Sequence, residues 1–586
     1  MSNFCQLLPM MKILLIYPYF LEARVLTAED VGEVPLGVYY VAAALKDADY
    51  DVEILNWHDI QAAPGKIEEI LAAKKPDVIG FSILHGNRWG GIEIARRAKQ
   101  IDPRIIIVFG GVGATFLWEH FLTHFKEVDY VVIGEGERTF LGLIRNLEGG
   151  NPGAIESLAG LALRKGKQVV RTDDAPAITP MDDLPDPARY FAYRHVSLTR
   201  GCAGNCNFCG SPQFWGRRVR FHSVDYFVGQ LERLHQKGVS FFYFSDDTFT
   251  VNKQRVIQIC KKIIEKKLEI TWNAISRVDH INEEILFWMR KAGCIQISFG
   301  VESGSEKIRN FLQKNISTDS IRKAFKLTQK YGIMARAYFI YGCPQESWQT
   351  IQQSIDLIDQ LKPLSTVFYI LDIFPGTQLY EDFKRKSKVT DDIWLKRVED
   401  ILYFETDSDL TREQILAFGQ KLRSHFYKSL PGYVDAIDLI DDQDLYPQHS
   451  AFYSRLAMTF DYGDYASIDA IENQDRLAAN LYRKALNFYP NAEAYLGLGI
   501  IFQKRGANRQ AVEILSEGLG HFAGDSRLNI CVGVCLMNLE QWERALSHFL
   551  KFQDVKEAVR FTALCYQSLG DEKKATAFQK KFERME

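Results

Sequence analysis

Short apolar runs alternate with amphipathic stretches over two long regions of the chain, and a third region shows only helical patterns. Between residues 11 and 145, five short apolar runs are separated by stretches with apolar residues at helical spacing. The runs are KILLIYP, DVEILNW, DVIGFSI, RIIIVFGG and YVVIGEGE. Such runs, joined by helices, are typical of a parallel sheet covered on both faces. Sheets of this kind bind ligands at the carboxyl ends of their strands.

The alternation pauses and then resumes in the middle of the chain. Residues 151–190 predict an exposed linker, in which LAGLALRKGKQVVRT is compatible with a hairpin that turns at Lys165 and Gly166. From residue 191 to 386 six further candidate strands follow, namely HVSLTR, FFYFSD, ITWNAI, IQISFG, ARAYFIYG and TVFYILDIF. Six such units predict a partial (β/α)6 barrel of the TIM type, with its site at the carboxyl ends of the strands.

The last part of the chain has no strand pattern. Residues 387–474 predict a helical connecting region, and residues 475–586 are self-similar at an interval of 34, with Gly499 recurring as Gly533 and Ala511 as Ala545. This period is typical of tetratricopeptide helix–turn–helix repeats, which offer a concave surface to a peptide or protein partner. The alternative is a helical cap that stabilises the barrel. The predicted fold class is therefore α/β, with a Rossmann-like parallel sheet, a partial barrel and an all-α repeat domain.

Composition and charge exclude several classes of protein. The chain has 586 residues, of which 47% are hydrophobic and 25% charged, as in globular proteins with several cores. A formal net charge of −3 gives no reason to expect a nucleic-acid partner. No run approaches the roughly 18 uncharged apolar residues of a membrane span, and the opening segment lacks the features of a secretory signal. We therefore expect a cytoplasmic protein without a membrane span.

Three of the ten cysteines lie within eight residues, in the string RGCAGNCNFCGSP. Cys202, Cys206 and Cys209 have the spacing C-x3-C-x2-C and follow the first strand of the predicted barrel. Three thiolates on one loop suit a [4Fe–4S] cluster and leave its fourth iron open to S-adenosylmethionine (SAM). The alternatives are reduced thiols or a zinc site, and a structural zinc site would need a fourth ligand such as His195 or His222.

Residues 191–386 resemble a radical SAM domain beyond the cysteines as well. The further matching segments are YFSDDTF (243–249), WNAISRVD (272–279), FGVESGSEKI (299–308) and YFIYGCPQES (338–347). The resemblance implies SAM contacts from six candidate residues: Phe208 near the adenine, Asp246 or Asp247 at the amino group, Arg277 and Glu302 at the carboxylate and ribose, and Gly342 beside the adenine.

Each of these residues also has a purely structural alternative. Asp246 and Asp247 are of a type that favours helix N-caps. Glu302 could cap the segment ESGSEKI, and Arg277 could form a surface ion pair. Gly342 could merely permit a turn before the following proline.

Residues 11–150 resemble the cobalamin-binding domain that precedes many radical SAM domains. The matching segments are PLGVYYVAAALKDADYDVEILN, GFS, VFGGVGATFLWEHFL and VDYVVIGEGERTFLGLI. The resemblance implies cobalamin contacts from residues at three strand ends: Ser82, Gly110, Gly111, Gly134, Glu135 and Gly136. Glycine lets the backbone approach a large ligand closely, because it has no Cβ.

The N-terminal domain departs from other cobalamin proteins in one respect. It has no Asp-x-His-x-x-Gly string, so a bound cobalt would have no histidine ligand from such a loop, and His85 is interpreted as a loop residue. The alternatives are a domain that binds no cofactor or one that binds a nucleotide. The G-x-G-x-x-G spacing of dinucleotide-binding loops is not met.

Together the resemblances imply a cobalamin-dependent radical SAM enzyme whose [4Fe–4S] cluster cleaves SAM to a 5′-deoxyadenosyl radical. We predict that it methylates an unactivated carbon of its substrate. The alternatives are a cyclase or oxidoreductase with cobalamin as electron relay, and a non-catalytic repeat scaffold with degenerate catalytic domains. The resemblance also implies an electron donor such as flavodoxin or ferredoxin. No motif identifies the substrate or a catalytic side chain.

Overall fold

The computed structural model describes residues 11–21, 32–60, 63, 65–406 and 409–585. The opening ten residues, on which the prediction about a secretory signal rests, lie outside the described part. The chain divides into two compact units, which comprise residues 1–324, 336–357 and 366–422, and residues 325–335, 358–365 and 423–586. No described helix is both long and apolar enough to cross a membrane.

The N-terminal region forms a sheet of seven strands. The strands are β1 (Lys12–Tyr17), β2 (Asp51–Asn56), β3 (Val78–Ser82), β4 (Ile106–Gly110), β5 (Tyr130–Val132), β6 (Leu161–Lys165) and β7 (Gln168–Arg171). Their order is β2-β1-β3-β4-β5-β6-β7, and the first five are parallel. The direction of the strand order changes between β1 and β3, which makes their carboxyl ends a switch point where ligands bind. The predicted Rossmann-like sheet is confirmed.

The hairpin extends this sheet, which differs from the predicted exposed linker over residues 151–190. Strand β6 pairs with β5 in antiparallel orientation, and Lys165 pairs with Gln168 across the turn. Leu161 and Leu163 of β6 are buried. The apolar residues of the hairpin therefore cover the edge of β5, and only the remainder of the segment connects the two βα regions.

Among the described residues, the helices that accompany the first sheet are α1 (Leu36–Lys46), α2 (Gly65–Lys74), α3 (Arg88–Ile101), α4 (Val112–Phe116), α5 (Trp118–His124), α6 (Gly136–Glu148) and α7 (Pro152–Glu156). Apolar side chains lie on both faces of the strands. Ile16 and Phe109 belong to one buried cluster, whereas Leu15 and Val108, one position earlier in each strand, belong to another. Successive strand residues point to opposite faces, so burial on both explains the continuous apolar runs.

The second βα region forms a sheet of six strands and a short antiparallel pair. Its strands are β8 (His195–Val196), β9 (Thr199–Arg200), β10 (Arg220–Phe221), β11 (Phe241–Phe244), β12 (Thr271–Ser276), β13 (Cys294–Glu302), β14 (Met334–Tyr341) and β15 (Ser365–Ile370). The six-stranded order is β15-β14-β13-β12-β11-β8, and β9 pairs with β10. Six strands in near-sequential order agree with the predicted partial barrel.

Helices follow the barrel strands, as the pattern predicts. They are α8 (Ser211–Trp215), α9 (Val224–Gln236), α10 (Lys253–Glu265), α11 (Glu283–Lys291), α12 (Glu306–Phe311), α13 (Thr318–Lys330), α14 (Trp348–Leu361) and α15 (Gln378–Ser387). The short α8 directly follows the cysteine-rich loop. This order places that loop at the carboxyl end of the first barrel strand, after the β9 extension.

The described residues after 406 contain helices and turns but no strand. The helices are α16 (Arg412–Asp435), α17 (Tyr446–Asp461), α18 (Gln474–Phe488), α19 (Ala492–Lys504), α20 (Asn508–His521), α21 (Ser526–Asn538), α22 (Trp542–Phe549), α23 (Lys556–Ser568) and α24 (Glu572–Glu583). A Cβ at Gly499 or at Gly533 would lie 2.5 Å from Leu515 or Phe549 of the next helix. The interval of 34 thus marks close helix crossings, and membership of the tetratricopeptide family stays a prediction.

Candidate functional site

The three clustered cysteines lie on the loop between β9 and α8. Cys202, Cys206 and Cys209 have free, half-buried thiols. Gly201, directly before the first of them, has a φ of 105°, and a Cβ there would lie 2.7 Å from the carbonyl oxygen of Arg218. A side chain at this position would clash with that carbonyl oxygen and strain the backbone. Glycine therefore allows the chain to turn from β9 into the loop.

Two asparagines between the cysteines hold the loop against the end of α12. The backbone N–H of the buried Asn207 donates to the carbonyl of Leu312 at 3.2 Å, and its side-chain amide donates to the carbonyl of Phe311 at 2.6 Å. The amide of Asn205 donates to the side chain of Gln313 at 2.8 Å. The sequence pattern did not single out these asparagines, because their partners lie more than a hundred positions away in the chain.

The arrangement of the thiols disfavours a zinc site. One zinc ion, about 2.3 Å from each sulfur, would bring its ligand atoms within about 4 Å of one another. Within the described ranges, one set of three histidine, cysteine or acidic ligand atoms lies within 4.8 Å of one another, and it contains no cysteine. His195 and His222 contact Ser245 and Asp182 instead. The three thiols therefore form no ready zinc site, and three thiolates on one loop are ligands that suit an iron–sulfur cluster.

A cavity of about 310 Å³ beside Cys202 has cationic side chains in its wall. Arg277 follows β12 and donates to both carboxylate oxygens of Asp279, at 3.1 and 3.0 Å. Lys314 follows α12 and lines the same cavity. Arg277 is largely buried and lines the cavity. It also forms an ion pair with Asp279, as the purely structural interpretation of this residue predicts. The wall on this side of the cysteine loop thus contains two cationic donors, each of which is paired with a carboxylate.

Lys314 forms a buried ion pair with Glu302, the last residue of β13. Nζ of Lys314 donates to Oε1 of Glu302 at 2.7 Å. Burial lowers the pKa of Lys314, but the Glu302 carboxylate and the Cys206 thiol raise it more, so the side chain is cationic. A Cβ at Gly300 would lie 2.3 Å from Oε1 of Glu302, so glycine makes room for the pair. No motif marked Lys314, because only the fold brings it beside Cys206.

The two carboxylates of the segment YFSDDTF have different surroundings. Asp246 is buried and accepts hydrogen bonds from the N–H and hydroxyl of Thr199 at 2.6 and 2.5 Å, and from the N–H of Leu198 at 3.3 Å. Asp247 is exposed and accepts from the hydroxyl of Ser211 at 2.5 Å, next to Cys209. Neither is the N-cap of a helix, since Thr248 and Asn252 have those positions. Asp246 thus supports the strand before the loop, and Asp247 stays a candidate for the SAM amino group.

Gly342 directly follows β14, in a turn that is closed by a carboxylate. Its φ is 81°, and its N–H and that of Cys343 both donate to Glu346, the latter at 3.1 Å. Burial raises the pKa of Glu346 to about 7, although these two hydrogen bonds lower it. Phe208 is half-buried and packs against the apolar cluster that contains Cys343. The predicted adenine contacts of Phe208 and Gly342 stay predictions.

A second cavity, of about 500 Å³, lies at the carboxyl ends of the first sheet. Its wall contains all six residues for which the resemblance implies cobalamin contacts: Ser82, Gly110, Gly111, Gly134, Glu135 and Gly136. On the opposite side the wall is formed by Cys209, Gly210, Ser211, Phe214, Trp215 and Phe374. The third cluster cysteine therefore faces this cavity, whereas the first faces the cationic one.

The strand ends at this second cavity carry no side chains that would fill it. A Cβ at Gly110 would meet nothing nearer than 3.8 Å, and one at Gly134 nothing within 4 Å. Gly111 has a φ of 93°, and a Cβ there would lie 2.9 Å from the carbonyl oxygen of Ile83. Backbone thus borders open space at the ends of β4 and β5, which fits a broad ligand such as cobalamin.

No histidine of the described chain lines the second cavity. His85 directly follows Leu84, which lines the cavity. Nε2 of His85 lies 3.3 Å from Oδ2 of Asp372, and its ring stacks on Phe374 with 4.9 Å between ring centroids. Its ring is therefore engaged outside the cavity wall. This agrees with the interpretation of His85 as a loop residue, and a bound cobalt would have no histidine ligand here.

Buried ion pairs join the edge of the second cavity to the strand that carries the cysteine loop. Arg200, two residues before Cys202, donates to Glu135 at 3.1 Å and to Glu137 at 2.5 Å, and Arg220 also donates to Glu135. These side chains are nearly inaccessible to solvent. Both arginines thus bind the carboxylate of Glu135, so this residue can contact a ligand only through its backbone. The sequence pattern did not indicate these ion pairs.

Comparisons with known proteins match both βα regions. The family model "B12 binding domain" matches residues 24–144, and the model of the radical SAM superfamily matches residues 196–358. An uncharacterized methyltransferase of Pyrococcus horikoshii is 32% identical over 63% of this chain and 83% of that protein. The anaerobic magnesium-protoporphyrin IX monomethyl ester cyclase of Cereibacter sphaeroides is 26% identical over 65% of each chain.

Among solved structures, the radical SAM methyltransferase TsrM from Kitasatospora setae, with cobalamin and a [4Fe–4S] cluster bound, has a similar fold. The TM-score is 0.56 at 16% sequence identity, over 64% of this chain and 75% of that one. At this identity the likeness concerns the fold alone.

Proposed function

We propose that this chain, which belongs to the family of cobalamin-dependent radical SAM methyltransferases, methylates an unactivated carbon atom of its substrate. The sequence-based prediction of an enzyme with a [4Fe–4S] cluster, SAM and cobalamin is confirmed. One observation supports the proposed reaction above all others. Cys202 and Cys209 of a single loop line two separate cavities, so two cofactors can approach the same cluster loop from different sides.

The cationic cavity suits the amino-acid end of SAM. When bound, the cluster and SAM supply a 5′-deoxyadenosyl radical, and cobalamin supplies the methyl group. In this proposal Cys202, Cys206 and Cys209 hold three irons. Arg277 and Lys314 neutralise the SAM carboxylate, because both line the cavity beside Cys202 and both are cations.

The second cavity suits cobalamin and a water-free reaction space. Its glycines at the ends of β4 and β5 leave room for a broad ligand, and the aromatic rings of Phe214, Trp215 and Phe374 close the side next to Cys209. Apolar walls exclude water, which protects a reactive radical from side reactions. The substrate would lie between these rings and the cysteine loop.

Three further parts of the proposal concern the surroundings of the enzyme. The cluster requires an electron, which we expect from a donor such as flavodoxin or ferredoxin. The C-terminal helices would bind a peptide or protein partner. A cytoplasmic location suits the free thiols, because reducing compartments keep clustered cysteines available for metal binding.

Ring formation or oxidation, with cobalamin as electron relay, is the second candidate function. The similarity to the anaerobic magnesium-protoporphyrin IX monomethyl ester cyclase favours it. A non-catalytic scaffold is disfavoured, because the cysteine loop keeps all three thiols and its hydrogen bonds to the end of α12. The two catalytic candidates differ in what they make from SAM.

Product analysis separates the candidates. The chain, loaded with cluster and cobalamin, is incubated anaerobically with a reductant, methyl-labelled SAM and candidate substrates. Methyl transfer yields S-adenosylhomocysteine from one SAM, 5′-deoxyadenosine plus methionine from a second, and label in the product. 5′-Deoxyadenosine without S-adenosylhomocysteine would contradict methyl transfer and support the second candidate. Release of neither S-adenosylhomocysteine nor 5′-deoxyadenosine would contradict both candidate functions. The Cys202→Ala variant serves as the blank for these measurements.

A further inference from the structure

Two histidines and an aspartate lie close together outside both cavities. His120 and His124 are four positions apart on α5, and Asp392 belongs to the 3₁₀ helix Asp391–Leu395. One ring nitrogen of each histidine and one carboxylate oxygen of Asp392 lie within 4.8 Å of one another. Residues four apart share a helix face, so both imidazoles can reach a single ion.

His120 lacks the hydrogen bonds that a buried histidine needs. The residue is only 4% exposed, and neither ring nitrogen has a hydrogen-bond partner among the residues that the structure describes. Burial disfavours the charged form of an imidazole, because a charge removed from water needs a partner. A neutral imidazole has a lone pair that can bind a metal ion. The buried ring is thus available as a ligand.

The other two groups leave the site open to solvent. Nε2 of His124 lies 2.9 Å from Oδ1 of Asp392, and their side chains are 30% and 62% exposed. An ion can therefore enter from solvent, and a water molecule can complete its coordination. The nearby charges are mixed: Asp391 and Asp392 favour a cation beside His120, whereas Arg88 opposes one.

The segment that carries Asp392 is held firmly in place. Trp394 is fully buried, its indole N–H donates to the hydroxyl of Tyr380 at 2.7 Å, and the Arg88 guanidinium lies 4.5 Å from the centre of its ring. The hydroxyl of Thr390 accepts a hydrogen bond from the N–H of Asp392 at 3.3 Å. The carboxylate is therefore presented to α5 by a fixed backbone, as a metal site requires.

We propose that His120, His124 and Asp392 bind one divalent transition-metal ion, with zinc as the best match. Two imidazole nitrogens and a carboxylate oxygen are ligands that zinc prefers, at about 2.0–2.2 Å. Ligand atoms of a tetrahedral zinc site are about 3.3 Å apart. Side-chain rotations that move the ligand atoms by roughly an ångström would therefore bring them to the distances that zinc requires. The ion would join α5, which follows the cavity-lining end of β4, to the segment Asp391–Leu395.

Metal analysis of the cluster-loaded chain tests this proposal. The loaded chain is used because its cluster cysteines are then occupied and do not compete for zinc. The chain is first dialysed against a weak chelator, then given one equivalent of Zn²⁺ and dialysed again. Its zinc and iron contents are then measured by mass spectrometry. We expect one zinc per chain and a melting temperature that zinc raises. The variants His124→Ala and Asp392→Ala should bind zinc at least tenfold more weakly, with unchanged iron content.

Two further variants decide between a metal site and a core histidine. His58→Ala removes an exposed histidine far from α5 in sequence and should keep the zinc. His120→Phe fills the buried position with an apolar ring and should lose it. Zinc content in His120→Phe or Asp392→Ala equal to that of the unaltered chain would overturn the proposal. So would a melting temperature of the unaltered chain that zinc does not change.

Discussion

The cysteine loop separates two cavities that are built by opposite means. The cavity beside Cys202 is about 310 Å³ and has the cations Arg277 and Lys314 in its wall. The cavity beside Cys209 is about 500 Å³ and is bordered by strand-end glycines and aromatic rings. The first offers charged side chains, whereas the second offers backbone and open space. One loop can thus serve a small zwitterion on one side and a broad cofactor on the other.

The difference indicates how each cavity should respond to substitution. A site made of charges weakens when a charge is removed, because charged hydrogen bonds to the ligand are lost. A site made of glycines weakens when atoms are added, because a new side chain occupies the space of the ligand. Substitutions of the two kinds should therefore affect the two cofactors independently, unless they change the loop between the cavities.

Loss of a cluster ligand should have the largest effect. Cys202→Ala removes one of three thiolates, so we expect loss of the cluster and a fall of SAM cleavage to the background level. Cobalamin binding should persist, because Cys202 does not line the second cavity. Iron content, 5′-deoxyadenosine release and cobalamin absorption measure the three outcomes. Cys535→Ala, in the C-terminal helices, is the control, and equal iron content in both variants would contradict the assignment.

Breaking the buried ion pairs behind the loop should destabilise the fold. Glu137→Gln leaves Arg200 with one carboxylate partner fewer, and loss of a buried charge partner lowers the free energy of unfolding by about 3–5 kcal/mol. Urea denaturation measures the change. Arg138→Gln is the matched control, because its ion pair with Asp183 is exposed and contributes at most about 1 kcal/mol. Equal destabilisation of the two variants would contradict the structural role of Arg200.

Added atoms in the glycine-lined cavity should weaken cobalamin binding alone. Gly110→Val is tolerated by the fold, since a Cβ there meets no atom closer than 3.8 Å, but its methyl groups enter the cavity. We expect cobalamin affinity to fall about 10- to 200-fold, the range for a small steric mismatch. Titration followed by absorption checks this, with Gly65→Val outside the cavity as control. Unchanged affinity would exclude this cavity as the cobalamin site.

Removal of a cation beside Cys202 should weaken SAM binding alone. Arg277→Gln deletes a charged donor, which corresponds to an affinity for SAM lower by about tenfold to a hundredfold. Equilibrium binding of SAM to the cluster-loaded chain measures it, with the exposed Arg218→Gln as control. Cobalamin affinity should stay the same. A parallel loss of both cofactors would show that the cavities are not independent.

The smallest effect concerns the strand beneath the loop. Burial raises the pKa of Asp246 from 3.8 to about 6 in the folded chain. The folded chain therefore binds the carboxyl proton of Asp246 more tightly than the unfolded chain does. Protonated Asp246 thus makes its full contribution to the free energy of unfolding below pH 3.8, and this contribution is lost as the pH rises to about 6. Melting temperatures measured across this range should decline more steeply for the unaltered chain than for Asp246→Asn. Parallel curves would contradict the raised pKa.

Local patterns predicted the parts of the site that depend on neighbours in sequence. The spacing of Cys202, Cys206 and Cys209 indicated one cluster loop, and the glycines after β4 and β5 indicated a ligand at the strand ends; all six predicted cobalamin contacts line one cavity. The roles of single charges were less predictable. Asp246 and Asp247 are adjacent, yet one supports a strand and the other faces Ser211 beside Cys209.

The sequence by itself determined the order of strands and helices and the family, and it predicted the cysteine ligands, because hydrophobic periodicity and motif spacing are local properties. Only the tertiary structure decided that Lys314 pairs with Glu302 beside Cys206 and that Arg200 joins Glu135 and Glu137. It also extended the first sheet by the hairpin and brought Asp392 to His120 and His124. These contacts join residues far apart in the chain, and they form because buried charges and strand edges take the partners that the packed fold provides.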